Sequence, residues 1–115
     1  MGRRVSRVAV VHPMSAVRSL VAQLLSTHGY EPVEAETAED ALAVLATDPP
    51  VLAIVDEELV PPLAGIPVPV IALGRRDAAS SLADAGACCV VEKPFQAEGL
   101  LRAVVWALDV YSPGR

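Results

Sequence analysis

The sequence predicts an α/β fold built on a doubly wound, five-stranded parallel sheet with strand order 2-1-3-4-5. Two observations support this prediction. Short apolar runs alternate along the chain with segments of helical periodicity, which is the pattern expected of a parallel sheet. The third run, residues 51–55 (VLAIV), is apolar throughout and ends at Asp56, as expected of a central strand buried on both faces. Ligand sites in such sheets lie at the carboxyl ends of the strands, so any chemistry is expected near Asp56.

Length and composition predict one domain and exclude several classes of function. The 115 residues suffice for a single core, and we expect one domain over residues 1–115, with a folded core at 5–110 and a tail or linker at 111–115. Aromatic residues make up only 3% of a chain that is 53% hydrophobic, so Ala, Val and Leu must fill the core. The net charge of −5 argues against nucleic-acid binding. No apolar run approaches the roughly 20 residues of a membrane span.

The sequence also favours a cytoplasmic protein. The basic start at residues 1–4 (MGRR) is not followed by the long apolar stretch of a secretory signal. Cys88 and Cys89 are adjacent, a spacing that strains any bridge between them. We therefore expect reduced thiols that pack as small hydrophobic side chains.

The first strand–helix pair occupies residues 5–29. Residues 5–11 (VSRVAVV) predict strand 1, and an amphipathic helix follows with Ser15 as its expected cap, His28 in its last turn and Gly29 after it. The apolar side chains of this helix repeat at helical spacing: Val17, Leu20, Val21, Leu24 and Leu25.

The second pair precedes the central strand. Residues 30–35 predict strand 2, and residues 37–40 (TAED) resemble a capping box that opens a helix. This helix is expected to end near Thr47, ahead of two consecutive prolines at residues 49–50.

The connection after strand 3 is irregular. Residues 57–67 (EELVPPLAGIP) contain three prolines and one glycine, which leave no room for a regular helix. We expect this helix to be reduced or missing and replaced by a loop or a single turn. The remaining elements are strand 4 at 69–73, a short helix at 77–85 closed by Gly86, strand 5 at 88–91 and a last helix at 97–110.

With these elements placed, the chain resembles the receiver domain of two-component response regulators over nearly its whole length. Three features carry the resemblance: strand 3 ends at Asp56, residues 85–87 (AGA) precede strand 5, and residues 93–95 (KPF) follow it. A lone KPF would be a weak signal, but its spacing from the other two features is specific. The resemblance implies a flavodoxin-like receiver fold, Asp56 at the phosphoacceptor position, Lys93 as the counter-ion of the phosphoryl group, and a cis Lys93–Pro94 bond.

At four positions the sequence departs from the receiver pattern. Receivers hold Mg²⁺ through an acidic pair after strand 1, where this chain has His12 and Pro13; a hard cation prefers oxygen ligands. Gly74 stands in place of the Thr or Ser that ends strand 4 in the family, and Val90 in place of the aromatic switch residue of strand 5. We therefore interpret the chain as a pseudo-receiver that binds no cofactor and is not an enzyme.

Two functions stay open. In the first, Asp56 and Lys93 form only a salt bridge, and the domain signals by protein contact without phosphorylation. In the second, the domain phosphorylates itself on Asp56 with an unusual Mg²⁺ site, to which Glu57 and Glu58 add oxygens. His12 at a strand end is expected to be neither a metal ligand nor a proton-transfer residue. A small unrelated α/β enzyme is less favoured, because no nucleophile–base pair or phosphate loop is present.

The last helix carries a candidate contact surface. Its apolar stripe is expected to face the sheet: Leu100, Leu101, Val104, Val105 and Leu108. Trp106 falls on the opposite side of the helical wheel, with Ala103 and Val110 near it, and aromatic side chains are enriched at interface hot spots. In receivers, the face made by the fourth helix, fifth strand and fifth helix usually serves dimerisation and output. The resemblance thus implies a protein partner or a homodimer there, unless Tyr111 and the tail cover Trp106.

Overall fold

The computed structural model describes residues 6–111, whose strands form one parallel sheet in the order β2-β1-β3-β4-β5. The strands are β1 (Arg7–Val11), β2 (Glu31–Ala35), β3 (Leu52–Asp56), β4 (Val70–Gly74) and β5 (Cys89–Glu92). The α-helices are α1 (Ser15–Thr27), α2 (Ala38–Thr47), α3 (Ala79–Asp84) and α4 (Ala97–Tyr111). The predicted fold class and strand order are confirmed.

The centre of the sheet is buried on both faces. Its two central strands, β3 and β4, carry nonpolar residues at every position except Asp56, the last residue of β3. Every residue of β3 and β4 is buried. On one face the side chains of Ile54 and Ile71 pack with residues of α1 and α4, and on the other face Val55 packs with residues of α2 and α3. Complete burial of an Ile or Val side chain contributes about 1.5–3 kcal/mol to folding. This alternation gives the two-sided core of a doubly wound fold.

Between β3 and β4 the structure contains no α-helix. Two short 3₁₀ turns, Glu57–Leu59 and Pro61–Leu63, make the connection instead. Proline removes backbone donors and blocks continuation of a helix. Individual side chains of the two turns, instead of a helix, therefore cover this face of the sheet. Val60 and Leu63 are buried there against β3 and its neighbours. The prediction of a reduced helix is confirmed.

The caps of the first two helices differ from each other. Thr37 caps α2 as predicted, because its hydroxyl accepts a hydrogen bond from Asp40 N–H at 3.1 Å. Ser15 does not cap α1: the N-cap is Met14, and no side chain serves there. The Met14 N–H instead donates to Nδ1 of His12 at 3.0 Å. The side chain of His12, which lies outside the helix, thus accepts a hydrogen bond from the N-cap residue of α1.

Several predicted boundaries move by one or two residues. Strands β2 to β5 each begin one residue later than predicted, and a 3₁₀ turn (Arg76–Ala78) precedes α3. Tyr111 is the last residue of α4 rather than the start of a tail. Val5, the basic start at 1–4 and the rest of the predicted tail at 112–115 lie outside the described residues.

The two cysteines are free, as expected. Burial raises the pKa of both thiols, and Cys88 also feels the neighbouring Cys89. Both side chains pack partly buried against the core. Within residues 6–111, no helix has the length and apolar character to cross a membrane.

Candidate functional site

The parallel register brings the residues predicted near Asp56 to one edge of the sheet. Val11 of β1 pairs with Val55 of β3, so the residues that follow them, His12 and Asp56, lie side by side. Gly74 of β4 pairs with Glu92 of β5, and Lys93 follows directly. The Lys93 N–H donates to the Gly74 carbonyl at 2.9 Å. Residues far apart in the sequence thus form one cluster at the carboxyl ends of the strands.

Asp56 is buried, and each of its carboxylate oxygens has a partner. Oδ1 accepts a hydrogen bond from Lys93 Nζ at 2.7 Å and lies 3.1 Å from His12 Nε2. Oδ2 accepts from the Glu58 N–H at 3.3 Å. A buried carboxylate requires such partners because its desolvation is otherwise costly. These contacts compensate the loss of hydration of the buried Asp56 side chain.

His12 is buried beside Asp56 as a neutral hydrogen-bond donor. Its Nδ1 accepts from Met14 N–H, so the ring proton of the neutral form lies on Nε2, which faces Asp56. Burial lowers the pKa of His12, as do the charges of Lys93 and Arg18, and these effects outweigh the attraction of Asp56. The imidazole therefore supplies a directed dipole to the Asp56 carboxylate and no full charge.

Lys93 supplies the positive charge of the cluster. Its side chain is 35% exposed, and Nζ lies 3.6 Å from Glu57 Oε1 in addition to its contact with Asp56. Burial acts to lower the pKa of Lys93, but the hydrogen bond and charge of Asp56, followed by those of Glu57, raise it overall. The Lys93–Pro94 peptide bond is cis, as the resemblance implied.

Glu57 has a role that the sequence did not indicate. Its Oε1 accepts a hydrogen bond from the Arg75 N–H at 3.0 Å, and its Oε2 accepts one from Arg75 Nε at 3.3 Å. Burial of the Glu57 carboxyl acts to raise its pKa, but the Arg75 contacts and the charge of Lys93 outweigh it, so the pKa is lowered. Arg75 was missed in the sequence, although its place directly after β4 puts it at the same edge.

Gly74 lies where no side chain has room. A Cβ built on Gly74 would approach Leu82 Cδ1 to 2.5 Å and Glu57 Cβ to 3.4 Å. The space in which a residue at the end of β4 would place a side chain is therefore taken by Leu82 and Glu57. Val90 of β5 pairs with Ala72 of β4, and its side chain packs partly buried against the core.

Mg²⁺ is the ion that the resemblance implies for a phosphorylated receiver, and the side chains beside Asp56 do not fit it. Magnesium takes oxygen ligands in octahedral geometry. The groups next to Asp56 are the His12 N–H and the Lys93 ammonium, while the Glu57 carboxylate is directed to Arg75. Among residues 6–111, no group of three His, Cys, Asp or Glu side chains is arranged to hold a metal.

The residues of the contact surface predicted on α4 are exposed only in part. Trp106 is 46% exposed, and Val110 is exposed as expected. Ala103 is only 7% exposed and belongs to the core, whereas Val105 is 57% exposed and does not face the sheet. Both corrections have one cause: the buried stripe is centred on Leu100, Ala103, Val104 and Ala107, which turns the predicted stripe by part of a helical turn.

The exposed side of α4 forms a shallow apolar hollow of about 490 Å³ lined by Leu101, Arg102, Val105 and Trp106. We call these four residues the α4 patch. The Tyr111 ring packs edge-to-face against Trp106, with ring centroids 5.9 Å apart. Tyr111 therefore supports the indole from one side and leaves nearly half of it accessible.

Comparison with solved structures identifies the fold. NtrX from Brucella abortus is 28% identical over 94% of this chain with a TM-score of 0.84, and the chain spans 28% of that protein. The receiver domain of a putative Luxo repressor protein from Vibrio parahaemolyticus is 26% identical, with 94% and 93% of the two chains covered and a TM-score of 0.79. A CheY-like receiver domain protein from Methanospirillum hungatei JF-1 is 23% identical, with 94% and 97% covered and a TM-score of 0.82.

No protein-family model and no curated protein matches the chain. The likeness lies in the structure: five parallel strands in the receiver order, aligned over most of the chain with receiver structures from several organisms. The chain therefore has the receiver fold that these response-regulator structures share.

Proposed function

We propose that this receiver domain signals through protein contact and does not use phosphorylation of Asp56. One observation carries the proposal. Oδ1 of Asp56 is shared by Lys93 and His12, with His12 in the position where receivers carry an acidic metal ligand. A carboxylate held in this way serves as a buried structural anion.

The chemistry of phosphoryl transfer supports the proposal. Catalysis of this reaction consists almost entirely of positioning and charge neutralisation, with the metal as the main counter-charge. A bound metal contributes several kcal/mol of transition-state stabilisation, and each 1.4 kcal/mol corresponds to roughly a factor of ten in rate. Neutral His12 and apolar Pro13 supply neither the metal ligands nor a replacement charge.

The conformational change that would have to follow phosphorylation gives a second argument for the proposal. A ligand shifts a conformational equilibrium only through contacts that differ between the two states. Gly74 offers no hydroxyl to follow a phosphoryl group, and the space beside it is taken by Leu82 and Glu57. Val90, in place of the family's aromatic residue, offers no ring whose movement could report the modification.

The alternative function is a phosphoacceptor receiver with an unusual metal site. The Asp56–Lys93 contact at 2.7 Å favours it, because this pair is the part of the family's chemistry that the chain retains. The test is the intact mass of the protein after incubation with acetyl phosphate and Mg²⁺, with Asp56→Asn as the control. We expect no phosphoryl adduct. An adduct on the wild-type protein that is absent from the control would overturn the proposal.

We further propose that the α4 patch is where this domain meets a protein partner or a second copy of itself. Contiguous exposed apolar side chains around a tryptophan are typical of contact surfaces. In this proposal the patch lies on or beside the face formed by α3, β5 and α4, the counterpart of the output face of receivers. The free thiols at Cys88 and Cys89 suit a cytoplasmic site of action, where such groups stay reduced.

A further inference from the structure

The Glu57 carboxylate is surrounded at the sheet edge by the kinds of groups that bind an anion. Its side chain is only 15% exposed, although it lies one residue beyond the end of β3. It takes a backbone donor, the Arg75 N–H, on Oε1 and the Arg75 guanidinium on Oε2. Lys93 Nζ, 3.6 Å from Oε1, completes the set of positive groups around this carboxylate. Convergence of an N–H donor and two cationic groups is the usual composition of an oxyanion site.

Glu57 lies between the two cations of this edge, Lys93 and Arg75, while the charge of Glu58 acts on His12. Asp56 and Glu57 are opposed by Lys93 and Arg75. Asp77 also approaches Arg75 Nε, at 3.9 Å, but this contact lies in solvent because the two side chains are 79% and 68% exposed, so water and salt screen it. Without the Glu57 carboxylate, the Arg75 N–H would lose its acceptor and the Arg75 guanidinium its nearer carboxylate partner.

We infer that Glu57 closes the sheet edge beside Asp56 as an internal ligand, in the place where a receiver would hold the oxygens of a phosphoryl group on that aspartate. The inference rests on the proposed function, since a site filled by the chain's own carboxylate is the arrangement expected of a domain that is not phosphorylated. It adds a physical reason for that behaviour: an incoming phosphoryl group must displace a carboxylate that is already held by the donors it needs.

The wild-type protein can be compared with Glu57→Ala for binding of inorganic phosphate. Binding is measured by ³¹P NMR line broadening and by the rise in melting temperature with phosphate, at constant ionic strength. We expect Glu57→Ala to bind phosphate at least about tenfold more tightly than wild type, because a like charge a few ångströms from the anion is removed and its donors are freed. Adding Lys93→Met to Glu57→Ala is expected to abolish the gain.

Glu58→Ala is the matched control, because Glu58 is the next residue, is exposed and carries the same charge. It should bind phosphate as weakly as wild type. Glu57→Gln keeps the side-chain volume and removes the charge, so it replaces Glu57→Ala should the smaller side chain prevent folding, which circular dichroism reports. Folded Glu57 variants that bind phosphate no more tightly than wild type, or an equal gain in Glu58→Ala, would overturn the inference.

The outcome is separate from that of the proposed function. A phosphoryl adduct on the wild-type protein in the mass measurement refutes the proposed function whatever the Glu57 variants do. Absence of an adduct together with absence of a phosphate gain in the Glu57 variants refutes only the role of Glu57, and leaves the signalling proposal standing.

Discussion

The Nε2 of His12 lies 3.1 Å from Oδ1 of Asp56, the same oxygen that Lys93 contacts at 2.7 Å. One carboxylate oxygen is thus contacted both by a neutral histidine and by a lysine cation. This relationship places the three side chains in a single polar network, in which His12 and Asp56 are buried and Lys93 is partly exposed. It also determines how the domain should respond to mutation and to pH.

Lys93→Met should destabilise the protein, because it leaves the buried Asp56 carboxylate with no cation. Breaking a buried ion pair typically costs about 3–5 kcal/mol, and the partial exposure of Lys93 reduces our expectation to roughly 1–3 kcal/mol. Urea unfolding measures the difference. Arg76→Met is the control, because its ion pair with Glu92 at the same edge is exposed and should contribute less than about 0.5 kcal/mol. Equal losses in the two variants would contradict the buried role of the Lys93–Asp56 pair.

Acid should weaken the fold through His12. Burial lowers the pKa of His12 in the folded protein below its ordinary value of 6.5, so the unfolded chain binds this proton more readily. The contribution of His12 is therefore complete above pH 6.5 and is lost as the pH falls through the folded pKa.

The measurement is the free energy of unfolding at about pH 7.5 and about pH 5.5, a range that avoids most carboxyl titration. Wild type should lose stability across this range, and His12→Asn should lose clearly less. His28→Asn, at the exposed end of α1, should behave as wild type. A pH dependence that survives in His12→Asn would assign the effect to another group.

Gly74→Ala should destabilise the protein because the new Cβ meets Leu82 Cδ1 at 2.5 Å. The contacted atom is the end of a side chain that can shift in part, so we expect a loss of about 1–2 kcal/mol. Gly99→Ala in α4 meets no atom within 4 Å and should instead stabilise by about 0.5–1 kcal/mol, since alanine favours a helix over glycine. Thermal unfolding of both variants tests the sign, and a stable Gly74→Ala would show that Leu82 moves freely.

Trp106→Ala should weaken self-association or partner binding and leave the fold intact. Truncation of an aromatic anchor at a contact surface typically costs about 2 kcal/mol or more of binding, whereas truncation of an exposed side chain changes stability by about 0.5 kcal/mol or less. Light scattering reports the oligomeric state, with Leu20→Ala as the control, an exposed hydrophobic residue on α1. An unchanged oligomeric state and unchanged partner binding would count against the α4 patch.

Some of the differences between expectation and structure have a common origin in side-chain packing. The periodicity of α4 predicted that one face is apolar, but Ala103 and Val105 exchanged places between core and solvent. All five residues of the predicted stripe are Leu or Val. Hydropathy alone therefore does not distinguish this stripe from one rotated by part of a helical turn. In the structure the small side chains of Ala103 and Ala107 are packed in the core between α4 and the sheet.

The sequence by itself determined the strand order, the shortened connection after β3 and the edge at which Asp56, Lys93, His12 and Gly74 meet. The doubly wound sheet follows from alternating periodicities and the shortened connection from the proline positions, whereas the places of Lys93, His12 and Gly74 at this edge are what the resemblance to receivers implied. Only the tertiary structure decided which partners each polar group takes. Glu57 turned to Arg75, a residue 18 positions away, because a carboxylate at a sheet edge is placed by whichever donors the neighbouring strands deliver. Such contacts depend on distances between strands, which no local pattern encodes.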